Sequence, residues 1–115
     1  DTLAAVLLAY DGDKPVGYVS IGKSSDESRA DFAQIKAIML LQDYWGGGIG
    51  YALFQSACDA CRAKGYTQMF LWVLASNKRV LESYVKWGGV IEHDRTKDFD
   101  ANGVPLKEVS VRFAL

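Results

Sequence analysis

The chain has 115 residues, of which 50% are hydrophobic and 23% are charged, and its formal net charge is −1. This composition is typical of one globular domain and lacks the basic surface expected of a nucleic-acid-binding protein. The apolar run at residues 3–10 is too short to cross a bilayer, and two cysteines are too few for a disulfide framework. We therefore expect a cytoplasmic protein without nucleic-acid or membrane partners.

The first half of the chain predicts strands. Residues 3–10 are continuously apolar, residues 11–14 have turn chemistry, and residues 15–22 are rich in β-branched and aromatic side chains. Together these segments predict a β-hairpin. A polar loop is expected over residues 23–32, and residues 33–41 end in the fully apolar pattern of a central strand.

The second half predicts helices that alternate with strands. From Ile49 to Lys64, apolar residues recur at spacings of three and four, which indicates an amphipathic helix that ends at Gly65. The elements expected after it are a buried strand at residues 67–74, a helix capped by Ser76 or Asn77 and ended by Gly88-Gly89, and strands at 90–94 and 107–115 joined by a charged loop with a turn at 100–103. This order predicts a single α/β or α+β sheet domain over residues 1–115.

Four glycines lie within the five residues 46–50, directly before the first helix. Glycine costs a regular element roughly 0.5–1 kcal/mol relative to alanine, whereas a bare loop before a helix N-terminus leaves amide groups accessible to an anion. A Walker loop is excluded because no Lys-Ser/Thr pair follows Gly50. A dinucleotide fingerprint is weak because Leu53 stands at the third glycine position. A glycine turn without a ligand is the remaining alternative.

Two stretches resemble the conserved motifs of the GNAT superfamily of N-acetyltransferases. The stretch IMLLQDYWGGGIGYAL resembles motif A, in which a central strand leads into a loop of pattern [RQ]-x-x-G-x-[GA], here residues 45–50. The stretch FLWVLASNKRVLESYVKWGGV resembles motif B. Its matching residues are Asn77, Tyr84, Lys86 and Gly88. The resemblance implies a central, mixed, mostly antiparallel β-sheet flanked by helices.

The resemblance also implies acetyl-CoA as the acyl donor and assigns residues to it. Backbone amides of the loop would bind the pyrophosphate, the strand edge would pair with the pantetheine arm, and an asparagine would bind the cofactor. The residues at these positions are Ile38, Met39, Leu40, Gly46, Gly47, Gly48, Ile49, Gly50, Tyr51 and Asn77. Tyr84 matches the family's general acid. Helix capping by Asn77 and core packing by Tyr84 are the alternatives.

The general base is not assigned. Many relatives have a glutamate where this chain has Gln34, Lys36 or Trp72. A water relay to Asp31 or Glu92, or an acceptor amine of low pKa, are open alternatives. Trp45 and Gly89 also depart from the family pattern, which has Arg or Gln at the first position and commonly Phe at the second.

These observations predict an N-acetyltransferase that transfers acetyl from acetyl-CoA directly to a primary amine of a small molecule or protein within a ternary complex. The alternative is a non-catalytic acyl-CoA-binding or regulatory domain of the same fold. The N-terminal strand and two helices that precede the hairpin in relatives are not found, so either the chain was shortened or a partner covers that face. An exposed apolar sheet face would favour a homodimer. Cys58, Cys61 and His93 are interpreted as structural, and no metal site is expected.

Overall fold

The computed structural model describes residues 3–115, which form two compact units. One unit contains the described residues up to Met69 together with Leu115, and the other contains residues 70–114. The main elements are β1 (Ala4–Asp11), β2 (Lys14–Lys23), β3 (Ala33–Leu40), α1 (Ile49–Ala63), β4 (Gln68–Leu74), α2 (Lys78–Lys86), β5 (Val90–Ala101) and β6 (Val104–Ala114). Six strands and two α-helices within residues 3–115 confirm the predicted α+β class.

The first unit is built on an antiparallel arrangement of β1, β2 and β3, in that order. The predicted hairpin is confirmed, with β1 and β2 in register from Ala4↔Gly22 to Asp11↔Lys14. β2 pairs with β3, and the register shifts by one residue after Ser20↔Ala37. Helix α1 contacts all three of these strands.

Gly17 on β2 sets how closely α1 approaches the sheet. A Cβ at this position would lie 2.8 Å from the Met39 carbonyl oxygen, 2.9 Å from Cδ1 of Leu40 and 3.1 Å from Cδ1 of Leu53. Real Cβ atoms do not come this near to a backbone oxygen, so only glycine fits here. The side chain of Leu53 on α1 therefore lies directly against the backbone of β2.

Helix α1 has the amphipathic stripe that the sequence predicted. Its buried residues are Leu53, Phe54, Ala57, Cys58 and Cys61. The helix ends as predicted, because Gly65 has a φ of +91° and the Tyr66 N–H donates to the Cys61 carbonyl at 3.1 Å. Both cysteines are free and buried, which confirms their structural role. Burial raises the pKa of the Cys61 thiol to about 11.

The second unit contains β4 from Phe70 onward, β6 and β5, in the order β4, β6, β5, together with the helix α2. Asn77 is the N-cap of α2, and its Oδ1 accepts a hydrogen bond from the Val80 N–H at 3.4 Å. The helix ends at the predicted glycines, because Gly88 has a φ of +101° and the Gly89 N–H donates to the Tyr84 carbonyl at 2.8 Å.

The predicted charged loop between residues 94 and 107 is wrong. These residues extend β5 and β6 into a long antiparallel hairpin that turns at Asn102 and Gly103, whose φ angles are 53° and 85°. The charges are compatible with strands because opposite charges face each other across the hairpin, at Lys97↔Glu108 and Asp98↔Lys107. The charged composition of this segment favours a loop. It does not reveal which residues face each other across a hairpin, so the prediction failed.

No helix within residues 3–115 is both long enough and apolar enough to span a membrane. On β1, by contrast, alternate large apolar side chains are exposed, namely Val6, Leu8 and Tyr10. This exposed row agrees with the expectation of an apolar sheet face, and its occupant stays a prediction.

Candidate cofactor site and catalytic residues

A short 3₁₀ turn at Gln42–Tyr44 connects β3 to the glycine-rich segment. The Trp45 N–H donates to the Gln42 carbonyl at 3.0 Å, and the Tyr44 N–H donates to the Leu41 carbonyl at 2.9 Å. The Tyr44 hydroxyl donates to Oδ2 of Asp11, at 2.7 Å, in the β1–β2 turn. This bond raises the pKa of the Tyr44 hydroxyl. The turn is therefore fixed to the hairpin on one side of the glycine loop, residues 46–50.

The glycine loop has a backbone conformation that other residues rarely adopt. Gly46 and Gly48 have φ angles of +83° and +87°, and Gly48 is the N-cap of α1. A Cβ built at either position would meet no other atom within 4 Å. These two glycines are therefore required by conformation, and the space beside them is open to a ligand.

The amide groups of the glycine loop are available to an anion. Within residues 3–115, the N–H groups of residues 46–50 donate no hydrogen bond to the protein. The Ala52 N–H already donates to the Gly48 carbonyl, at 3.0 Å. The first three loop residues are exposed, and the N-terminal end of α1 adds its partial positive charge. Such a cluster of exposed donors at a helix N-terminus suits a phosphate group.

The polar backbone groups of β3 alternate between its two edges. The Leu41 N–H donates to the Val16 carbonyl at 2.9 Å, which continues the register Gly17↔Leu40, Tyr18↔Met39. In an antiparallel pair, every second residue directs both polar groups to its partner. Met39 therefore directs its N–H and C=O toward β2, whereas Ile38 and Leu40 direct theirs away from β2. Of the three predicted strand residues, Met39 therefore has its polar backbone groups engaged with β2, whereas those of Ile38 and Leu40 are not used by β2.

Trp45 contacts this edge through its side chain. Its indole Nε1–H donates to the Leu40 carbonyl at 2.8 Å, while 51% of the residue's surface remains exposed. The sequence did not predict this contact, because nothing in the residue pattern shows that an indole five positions later turns back to the strand.

The two predicted residues of α2 have evident structural roles within the second unit. Asn77 caps the helix, which confirms the structural alternative for its side-chain oxygen. Tyr84 is 5% exposed, with its ring edge-to-face against Trp87 and Phe113 at centroid distances of 5.4 and 6.0 Å. Burial raises the pKa of the Tyr84 hydroxyl to about 12, so that it keeps its proton at neutral pH.

The positions at which many relatives have a glutamate provide no carboxylate in this chain, which has Gln34, Lys36 and Trp72 there. Oε1 of Gln34 accepts hydrogen bonds from the Ser25 N–H and hydroxyl, both at 2.9 Å, and from Lys36 Nζ at 3.2 Å. The ring of Trp72 lies under Lys97 Nζ, 4.8 Å from its centroid.

Glu92 is a carboxylate held by neighbours in the second unit. It accepts a hydrogen bond from the Ser110 hydroxyl at 2.9 Å and lies near Arg112 and Arg95, at 3.4 and 3.7 Å. Asp31 is exposed between the short 3₁₀ helix at Glu27–Arg29 and β3. The structure therefore does not add a base to those considered from the sequence.

The chain belongs to the acetyltransferase (GNAT) family, whose model matches residues 1–89. It is 34% identical over 77 residues to the uncharacterized N-acetyltransferase MJ1207 of Methanocaldococcus jannaschii, covering 65% of this chain and 34% of that protein. It is 28% identical over 113 residues to the uncharacterized N-acetyltransferase YuaI of Bacillus subtilis, covering 96% of this chain and 62% of that protein. The chain thus spans less than two thirds of either relative.

Solved structures show the same fold. A ribosomal-protein-alanine N-acetyltransferase from Brucella melitensis matches with a TM-score of 0.83 at 20% identity, over 97% of this chain and 69% of that one. A GNAT acetyltransferase from Elizabethkingia anophelis, solved with acetyl-CoA bound, matches with a TM-score of 0.78 at 18% identity, over 97% and 76%. These likenesses confirm the predicted GNAT fold.

Proposed function

We propose that this protein is an acetyl-CoA-dependent N-acetyltransferase that transfers an acetyl group directly to a primary amine, on a small molecule or a protein, within a ternary complex. The observation that carries the proposal is the run of five amides at residues 46–50 without an acceptor in the described protein, the first three residues of which are exposed. Membership of the acetyltransferase family supports it independently. We place the reaction in the cytoplasm and assign no metal to it.

The glycine loop and β3 fit the two chemically different parts of acetyl-CoA. The amides of Gly46 to Tyr51 would bind the pyrophosphate, because N–H donors at a helix N-terminus stabilise negative charge. The outer-edge groups of Ile38 and Leu40 would pair with the amides of the pantetheine arm as a neighbouring strand does. Met39 would contribute its side chain, which is 59% exposed. The Asn77 amide nitrogen would contact the cofactor while its oxygen keeps the helix cap.

The chemistry requires a proton donor and loss of a proton from the amine. A leaving thiolate would take its proton from the Tyr84 hydroxyl, which its raised pKa keeps protonated. Negative charge on the thioester oxygen would be stabilised by a backbone N–H of β3 near Leu40. Because an alkylammonium has a pKa near 10.4, the acceptor either loses its proton through a water relay to Asp31 or Glu92 or has a lower pKa of its own.

Thiol release with a panel of amines tests the proposal. We expect turnover with acetyl-CoA that increases with pH as each acceptor amine loses its proton. The lack of a carboxylate at Gln34, Lys36 and Trp72 also supports the alternative, an acyl-CoA-binding domain without catalysis. Calorimetric binding of acetyl-CoA without turnover on any amine would establish that alternative, and no binding at all would overturn both.

A further inference from the structure

The glycine loop has one side-chain attachment immediately upstream of its free amides. Trp45 is held twice, because its backbone N–H donates to the Gln42 carbonyl and its indole N–H donates to the Leu40 carbonyl at 2.8 Å. After it, residues 46–50 donate no backbone hydrogen bond within the described chain. The chain is therefore anchored by hydrogen bonds at Trp45, whereas the amides that follow it have no partners within the described protein.

The indole bond uses a carbonyl that β2 does not use. The register of β2 and β3 directs the Leu40 carbonyl away from β2, so the Trp45 indole does not compete with a β2–β3 hydrogen bond. Gly46 follows directly with a φ of +83°, a conformation that glycine leaves easily unless its neighbours are fixed. The Trp45 ring, hydrogen-bonded to β3, would fix the start of the loop, and α1 would fix its end. The loop between them would then adopt few conformations.

We propose that Trp45 is a positioning residue that orders the glycine loop through its indole bond to Leu40, so that the amides are arranged for a diphosphate before it binds. Fixing a binding loop in advance lowers the entropy lost on association. The part of this inference that concerns coenzyme A rests on the proposed function; the part that concerns loop order does not. Trp45 would thus act by ordering the backbone of the loop, at a position where the family pattern has Arg or Gln.

The test replaces Trp45→Phe, which keeps an aromatic ring and removes the N–H donor. In the free protein we expect backbone order parameters at residues 46–48 to fall from near 0.85 to below about 0.6, as measured by ¹⁵N relaxation. We expect coenzyme A affinity to fall about three- to tenfold, the range for one lost hydrogen bond. The KM for acetyl-CoA should increase with kcat unchanged, because Trp45 touches no reacting atom.

The matched control is Trp87→Phe, which removes an indole N–H from the other unit and should leave both loop order and coenzyme A affinity unchanged. Unchanged loop order in Trp45→Phe would overturn the inference, as would lost order with unchanged coenzyme A affinity. If the wild-type protein bound no coenzyme A, the proposed function would fail, while the order parameters would still decide whether the indole bond orders the loop.

Discussion

The glycine loop at residues 46–50 and the Gly88-Gly89 pair both lie at a helix boundary, yet their surroundings differ. A Cβ at Gly46 or Gly48 would meet no atom within 4 Å. A Cβ at Gly89 would lie 2.6 Å from Cγ1 of Val111, 2.8 Å from Cε1 of Phe113 and 2.8 Å from the Tyr84 carbonyl oxygen. Packing therefore requires glycine at position 89, whereas Gly46 and Gly48 are required by their positive φ angles and leave the space beside them open. That open space is what the proposed ligand of the loop needs.

The largest expected effect is on binding, from Gly48→Glu. The substitution puts bulk and a negative charge where the diphosphate would bind, so we expect coenzyme A affinity to fall by more than about tenfold in calorimetry. Gly103→Glu is the matched control, because Gly103 has a similar φ of +85° and equally open space in the β5–β6 turn. Equal affinity of the two variants would remove the loop from the site.

The next effect is on stability, from Gly89→Ala. The added methyl group overlaps Val111, Phe113 and the Tyr84 carbonyl, and overpacking of this kind costs roughly 1–3 kcal/mol of unfolding free energy. Gly47→Ala is the control, since its Cβ would lie 3.9 Å from the Tyr44 carbonyl oxygen, an ordinary contact. Urea denaturation measures both variants. An equal loss of unfolding free energy in both variants would contradict the conclusion that packing requires glycine at position 89 but not at position 47.

The sequence predicted the loop well because a glycine's conformation and a helix N-terminus are local properties. It did not predict the length of the β5–β6 hairpin, because Lys97↔Glu108 and Asp98↔Lys107 are pairs between distant positions. The sequence also does not reveal the packing of Gly89 or the bond from Trp45 to Leu40, because both depend on where the fold places individual side chains. The catalytic assignments depend on the surroundings of single side chains, such as the burial of Tyr84, which residue spacing does not reveal.

An effect confined to high pH is expected from the buried hydroxyl of Tyr84. The pKa of this hydroxyl is raised from 10 to about 12 in the native state, so between pH 10 and 12 the unfolded chain loses a proton that the folded chain keeps. Its contribution is therefore complete below pH 10 and is lost as pH rises to 12, at about 1.4 kcal/mol for each pKa unit.

Tyr84→Phe should flatten this decline in unfolding free energy, measured by urea denaturation at a series of pH values. The same variant should lower kcat and leave coenzyme A affinity unchanged if Tyr84 donates the proton. An unchanged kcat would leave Tyr84 as a core residue only.

The smallest effect is expected at Asn77. Asn77→Ala removes the cap on the Val80 N–H and should cost about 0.5–1 kcal/mol, at the low end for an N-cap because the bond is exposed and 3.4 Å long. Asn77→Ser keeps a capping oxygen and removes the amide nitrogen. A loss of coenzyme A affinity in Asn77→Ser without loss of stability would support cofactor contact, whereas unchanged affinity would restrict Asn77 to capping.

The most direct test of the central claim is a coenzyme A titration followed by ¹⁵N amide chemical shifts of the whole chain. The free N–H groups of residues 46–50 should gain phosphate acceptors, so we expect their resonances to shift most, and downfield. Saturable binding that left these five amides unmoved while others shifted, or no binding at all, would contradict the assignment of the glycine loop to the diphosphate.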